Sequence, residues 1–359
     1  MANKSAGDPV WLLEVGAPST GKSEILRGLF DCKGVHSLGG FTANTFASGF
    51  DKGNVGLLET LPKETTLVVK DFGSLLAMRH EDKAVVLQQL REIYDGEYKK
   101  EYGNGKVVHW KGRMGLLGAS TSAIENYHSV IGELGNRYIL YRCGSEDREE
   151  IALRALAGEG VEATMREEIA VSFRGALDNT SEARAVDIPQ AMPGKLASLA
   201  NLASQLRSPV SRDSYDKTVN YLPDIEGPAR LAKAFAKLGK ALAIVRGKLS
   251  MTEEEYQAIR RIAEDTIPRK RAMLVGLLLD GEWWRVKTVS KETSLPASTT
   301  SYELEDLTLL GILNRDADLE DGQELKQQTP YKYQLKQEIQ QLIKGTGMLI
   351  NRSLKSSKG

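Results

Sequence analysis

The chain has no excess charge of either sign: Lys plus Arg number 48 and Asp plus Glu number 48. Net charge therefore speaks neither for nor against a nucleic-acid partner, and any basic surface must be local and offset by acidic surface elsewhere. Cysteine is scarce. Cys32 and Cys143 have no metal-ligand spacing and cannot form a disulfide framework, which suits buried free thiols in a reducing compartment. No apolar run reaches membrane-spanning length, and the opening "MANKSAGDPV" lacks the apolar core of a signal peptide. A length of 359 residues is too great for one small core. The expectation is a cytoplasmic protein of two or three domains, with no membrane partner.

What is present starts at "VWLLEVGAPSTGKSEILRGLF". Val10 to Val15 reads as a buried strand, and Ile25, Leu26 and Leu29 follow at helical spacing. Between them Gly16-Ala17-Pro18-Ser19-Thr20-Gly21-Lys22-Ser23 fits the phosphate-binding pattern G-x-x-x-x-G-K-[ST]. Strand, glycine loop and helix are what the chemistry needs. Backbone N–H groups and the helix start surround phosphates, Lys22 reaches the β- and γ-phosphates, and the Ser23 hydroxyl is offered to Mg²⁺. ATP and Mg²⁺ are the expected ligands, with Gly16, Ser19, Thr20, Gly21, Lys22 and Ser23 as the nucleotide-binding residues.

Two further strands end in polar residues, as phosphoryl chemistry requires. "TTLVVKDF" ends in Asp71, and "RMGLLGAST" ends in Ser120 and Thr121. The order of these elements, followed by "ELGNRYILYR", resembles AAA+ ATPases with a hairpin before the sensor-1 strand. Minichromosome-maintenance helicases and phage or mobile-element replication proteins belong to that group. The resemblance spans about residues 10 to 265. It implies an α/β P-loop NTPase core over 1–145 and an all-α lid over 146–266. It makes Arg137 an arginine finger acting on the neighbouring subunit, Thr121 the sensor-1 residue and Arg230 the sensor-2 arginine. The lid helix carries the apolar stripe Leu231, Phe235, Leu238, Leu242 and Val245. Where the family usually has Asp-Glu, this chain has Lys70-Asp71 before Phe72. Aligned on Phe72, Asp71 takes the place of the catalytic Glu. Aligned on the acid, Asp71 is the Mg²⁺ ligand, the base is missing locally, and Glu92 is a stand-in.

"DGEYKKEYGNGKVVHWKGRMG" centres on Asn104-Gly105, a two-residue hairpin signal in which both positions need positive φ. Lys99, Lys100, Lys106 and Lys111 interleave there with Tyr98, Tyr102, His109 and Trp110, and they are the expected DNA contacts. In the resembling helicases this hairpin projects into the ring's channel. From Pro268 onward, three helices and two strands suggest a winged-helix domain over 267–336, followed by a basic mobile tail over 337–359. The third helix carries Glu303, Glu305 and Asp306 and no Lys or Arg, and the wing adds Asp316, Asp318, Glu320, Asp321 and Glu324. That charge favours regulation or protein contact at least as much as base reading, although Ser298, Thr299, Thr300 and Tyr302 remain available for phosphates.

The leading expectation is a homo-oligomeric ring, six subunits being the expected number, that binds DNA in its channel and hydrolyses ATP to move along it or remodel it. With the nucleotide-binding strand starting at Val10, priming or origin recognition is expected from partner replication proteins. The alternative is an ATP-dependent switch or loader that recruits a protein through the winged helix with little hydrolysis. A transcriptional activator of the same superfamily ranks last, because the polymerase-contacting insert has no counterpart.

Overall fold

The computed structural model describes residues 1–50, 55–127, 132, 136–144, 147–179, 185–318 and 330–350. Glu133 to Gly135 before Arg137, the wing residues Glu320, Asp321 and Glu324, and residues 351–359 of the expected tail lie outside them. The chain divides into two units, Met1–Ile188 with Ala236–Glu255, and Pro189–Phe235 with Tyr256–Gly359.

The first unit is an α/β structure. Its strands are β1 (Trp11–Val15), β2 (Val35–Leu38), β3 (Glu64–Val69), β4 (Glu97–Glu101), β5 (Val107–Lys111), β6 (Arg113–Ser120) and β7 (Tyr138–Arg142). Five of them form one sheet in the order β2–β3–β6–β1–β7, with every pairing parallel. Parallel sheets are covered on both faces, so their strands are apolar throughout rather than alternating. Trp11, Leu13 and Val15 enter the larger core with Leu67, Val69, Phe72, Leu90 and Ile93. The Trp11 ring meets Tyr94 edge-on at 5.1 Å and Tyr138 at 5.3 Å, while its indole N–H donates to the Met114 carbonyl at 2.7 Å. The other face packs Val68, Leu117 and Ala119 against Leu26 of α1 (Lys22–Arg27).

The remaining helices of this unit are α2 (Leu57–Thr60), α3 (Gly73–Leu76), α4 (His80–Tyr94), α5 (Arg148–Ala157) and α6 (Glu162–Asn179). Asp147 caps α5 by accepting the Glu149 N–H at 2.8 Å. The segment 236–255 belongs here: Asp187 accepts the Met251 N–H and donates its own to Leu249, and Lys237 reaches the Asp8 carbonyl.

β4 and β5 form the expected hairpin, but its turn differs from the two-residue form. The Tyr102 N–H donates to Lys106 and the Gly105 N–H to Tyr102, and only Gly105 has positive φ, at 88°. This is a three-residue loop with glycine at the bulge position. Asn104 is free of the left-handed requirement and spends its side chain on the Gly49 carbonyl and the Lys106 N–H. Tyr98, Val108 and Trp110 are buried, so one face of the hairpin packs on the unit's core.

The second unit contains α7 (Met192–Arg207), the start of α8 (Ala229–Val245), most of α9 (Glu253–Thr266), α10 (Arg269–Leu277), β8 (Trp284–Arg285), α11 (Val286–Thr293), α12 (Ala297–Leu309), β9 (Leu313–Ala317), β10 (Tyr331–Leu335) and α13 (Gln337–Thr346). Its sheet is antiparallel in the order β8–β10–β9. Of the expected α8 stripe, Leu231 and Phe235 are buried and Val245 is exposed.

The acids of α12 are not a free negative face. Arg212 binds Asp306 at 2.7 Å and Glu305 at 2.8 Å, and Arg271 lies 3.4 Å from Glu303 and 3.5 Å from Asp306. Arg271 also donates to the carbonyls of Leu206 and Ser208, closing the end of α7. Residues 337–350 correct the tail expected there. They form α13 and its continuation, with Ile339, Ile343, Met348 and Ile350 buried, because isoleucines four apart give this stretch an apolar face. Among the described residues no helix is long and apolar enough to cross a membrane.

α6 rests on α1 at a point that tolerates no side chain. A Cβ on Gly28 would lie 2.6 Å from Ile169 Cγ2 and 2.7 Å from the Phe173 ring. Gly28→Ala is expected to lower stability by about 1–3 kcal/mol through overpacking, read as a lower urea midpoint at unchanged m-value.

Candidate phosphate-binding site

The loop Gly16–Ser23 leaves the carboxyl end of β1. In parallel α/β sheets ligands bind outside the carboxyl ends of the strands, where the chain order reverses. Here the chain leaves β1 for the far side of the sheet, and β6 and β7 return later to flank it. The Gly16 N–H donates to the Ser120 carbonyl at 3.2 Å, and Cys143 N–H donates to Val15 at 2.9 Å. Gly16 has little space for a side chain, since a Cβ would sit 3.1 Å from Cys143 Cβ and 3.3 Å from Thr20 Oγ1. Ser19 and Gly21 take positive φ, 62° and 80°, which curls the loop. The Lys22 ammonium donates to the carbonyls of Gly16 at 3.1 Å and Ala17 at 2.5 Å, and to Thr20 Oγ1 at 3.0 Å. Lys22 is thereby held across the loop's interior although its side chain is long and flexible. The N–H groups of Gly21, Lys22 and Ser23 have no acceptor among the described residues, as expected at a helix start. Ser23 is exposed.

Two strand ends stand beside the loop. β6 is paired with β1 on one side and β3 on the other. Asp71, exposed just beyond β3, accepts the Gly73 N–H at 2.9 Å. A Cβ on Gly73 would be 2.9 Å from Asp71 Oδ1 and 4.0 Å from Ser120 Oγ, which puts these two groups on one small patch. Thr121 is exposed and its Oγ1 accepts the Ala123 N–H at 3.4 Å. Lys70 turns to the α1 face, its ammonium 4.7 Å from the centre of the Phe30 ring.

Other expected residues are placed elsewhere. Arg137 immediately precedes β7, at the amino edge of the sheet, about 17 Å of strand away from the loop edge. Its side chain is largely covered, contacts both Asp95 oxygens at 2.9 and 3.0 Å, and lies over the Tyr94 ring at 5.2 Å. Glu92 belongs to the same end of α4 and accepts from Gln88 at 3.2 Å. It stands one helical turn before Asp95, the partner of Arg137. Arg230 falls in the second unit, 3.8 Å from Glu226, whose two carboxylate oxygens accept from Nε and Nη2 of buried Arg207.

The hairpin lysines divide. Lys106 donates to the Phe50 carbonyl at 2.7 Å and pairs with Glu59 at 2.8 Å, with its side chain mostly buried. That fastening takes the place of the phosphate contact expected of it. Lys99 and Lys111 are exposed beside Glu101 and Glu97, at 2.9 and 3.0 Å, and Lys100 lies over the Tyr102 ring. His109 shares Glu97 at 2.8 Å, and these hydrogen bonds, that of His109 first, hold the Glu97 carboxyl below its ordinary range.

Glu14 and Cys143 were not among the expected site residues. The signal for Glu14 was one acid in an otherwise apolar strand, directly before the loop. It is 9% exposed, its Oε2 has no hydrogen-bond partner, and burial pushes its carboxyl up to about 6 from 4.5, opposed by the positive charge of Lys22. Because the folded-state value is the higher one, folding is favoured most below pH 4.5 and loses about 2 kcal/mol as pH rises through 6. Glu14→Gln is expected to melt several degrees higher than the parent at pH 7.5, with the gap closing toward pH 5 in a calorimetric series. No family model matches the chain, and no curated protein matches it.

Proposed function

We propose that the chain is an ATPase of the AAA+ type that binds Mg-ATP in the Gly16–Ser23 loop and acts on DNA as a ring. The observation that carries this reading is the meeting of the loop, Asp71 and Ser120 at the carboxyl ends of three neighbouring parallel strands. The donor set fits the ligand. Three N–H groups are uncommitted, a lysine is held across the loop, and Ser23 and Asp71 are exposed hard-oxygen ligands for a cation that keeps most of its water. ATP bound there supplies the transferable γ-phosphoryl group, and Mg²⁺ neutralises its charge. Lys22 orients the phosphate chain, and Ser120 and Thr121 offer hydroxyls beside Asp71. In the second unit, the order helix, strand, helix, helix, strand, strand over 269–335 supports the winged-helix assignment. The internal pairing of Glu303, Glu305 and Asp306 lessens the charge objection to nucleic acid there.

A second reading is a nucleotide-dependent switch or loader with slow hydrolysis. It is favoured by the acids: Asp71 is accompanied by Lys70 rather than a second carboxylate, and Glu92 is an edge of the sheet away. In either reading Arg137, to act as a finger on a neighbouring subunit, has to exchange Asp95 for that subunit's phosphate.

Lys22→Ala is expected to abolish binding of a fluorescent ATP analogue while leaving the melting temperature within a few degrees; retained binding overturns the nucleotide reading. For the DNA-engaged ring, DNA should raise the rate of phosphate release, and joint charge reversal of Lys99, Lys100 and Lys111 should remove that rise. Hydrolysis indifferent to DNA in the parent chain selects the switch.

A further inference from the structure

Strand β1 carries a carboxylate where a parallel strand covered on both faces has no ordinary use for one. Glu14 is aligned with Ala119 of β6 and Tyr141 of β7, two residues before Gly16. It shares its face of the sheet with Ala119, which packs beneath Leu26 of α1. The row across that face is Ala119, Glu14 and Tyr141, and the small alanine leaves the carboxylate beside an almost featureless neighbour. One oxygen accepts no hydrogen bond, and the residue is nine-tenths buried. A buried carboxylate without its bonds is costly and rarely kept where a leucine would pack.

Among the described residues the surroundings offer one compensating charge. From α1 it is Lys22, whose ammonium attracts the Glu14 carboxylate. Glu24, also on α1, is occupied by Arg27 and Arg166. From β7 come Tyr141 alongside and Cys143 past the strand end, while Arg142 is bound to Glu125 at 2.5 Å. From β3, Lys70 lies over Phe30. β6 contributes no charge at Ala119.

We infer that Glu14 is a proton-linked positioning residue of the loop: ionised, it competes with bound phosphates for the Lys22 charge, and it takes up a proton when a nucleotide settles into Gly16–Ser23. This rests on the nucleotide reading above. The physics is that of like charges brought together in a poorly solvated place. A phosphate chain at Lys22 draws off the one positive charge that favours the carboxylate and adds negative charge nearby, so the neutral acid becomes the preferred form. Burial already pushes the carboxyl up to about 6, so the added negative charge of a phosphate chain moves it into the working range. The consequence is linkage: nucleotide affinity rises as pH falls, and binding near neutral pH consumes protons. Glu14 lies on β1, two residues before the loop, so in this reading it acts through Lys22 as a positioning residue and not a catalytic one.

The test is titration calorimetry of the full chain with Mg-ADP at pH 6.8, in buffers of different ionisation heat. The parent is expected to take up roughly half a proton or more per ADP beyond the value for Glu14→Gln, since the nucleotide's own proton exchange is common to both and cancels. Across pH 5.5 to 8 the parent's affinity should fall about tenfold relative to Glu14→Gln, which stays on the tight, acid-side limb. If Glu14→Gln does not fold, Glu14→Met supplies the same neutral comparison. Equal proton uptake in parent and variant, with ADP bound by both, overturns this inference alone. Absence of ADP binding by the parent at both ends of the pH range overturns the nucleotide reading, and this inference with it.

Discussion

The pairing of β6 between β1 and β3 is the constraint from which the candidate site follows. Two backbone hydrogen bonds express it at the rim: Gly16 to Ser120 at 3.2 Å, and Phe72 to Ala119 at 2.8 Å. They fix where the phosphate loop starts and where Asp71 stands, residues 55 apart in sequence. Neither position depends on side-chain packing nearby, because a parallel ladder sets both heights through the backbone. The loop can then be strained at Ser19 without losing its place, since its base is anchored in the most buried strand of the sheet.

A second pattern recurs in both units: long cations are used to fasten chain segments. Lys106 joins the hairpin to Phe50 and Glu59, Arg137 joins the start of β7 to the end of α4, and Arg207 joins α7 to Glu226. Arg271 closes α7 and steadies α12 together. Such buried pairs add little net stability, but removing one member leaves the other charge stranded. They also withdraw from solvent the residues that a count of basic side chains would assign to nucleic acid. The cations left at the hairpin surface are Lys99, Lys100 and Lys111, and each has its own local partner.

How much of this was legible in the chain depended on range. The strand, glycine loop and helix over residues 11–27 were, because the pattern demands consecutive residues of fixed type, and so were the strands ending at Asp71 and Ser120. The hairpin was legible and its turn was not: Asn-Gly signals a tight reversal, but Gly103 before it permits the longer loop. Glu92 and Arg137 needed knowledge of which edge of the sheet they occupy, and no local pattern carries that. The role of Lys106 needed Glu59, 47 residues earlier. Glu14 was visible as an oddity only, since its burial follows from both faces of the sheet being covered. The helix over 337–346 was hidden by the basic, Gly- and Ser-containing sequence that follows it, which outweighed two isoleucines four apart.

The division of the chain into interleaved units bears on how it is made. The first unit closes with 236–255, so a stretch about two-thirds of the way along the sequence completes a structure begun at its start. During vectorial synthesis the parallel sheet can assemble early, but the Asp187 contacts with Leu249 and Met251 wait until more than sixty further residues have emerged. At the usual pace of translation that is a delay of several seconds, in which the Asp187 backbone lacks these partners. Any piece cut at a single point between the two units inherits that unfinished edge permanently. The unit bearing the Gly16–Ser23 loop is therefore not the piece that a linear division would isolate.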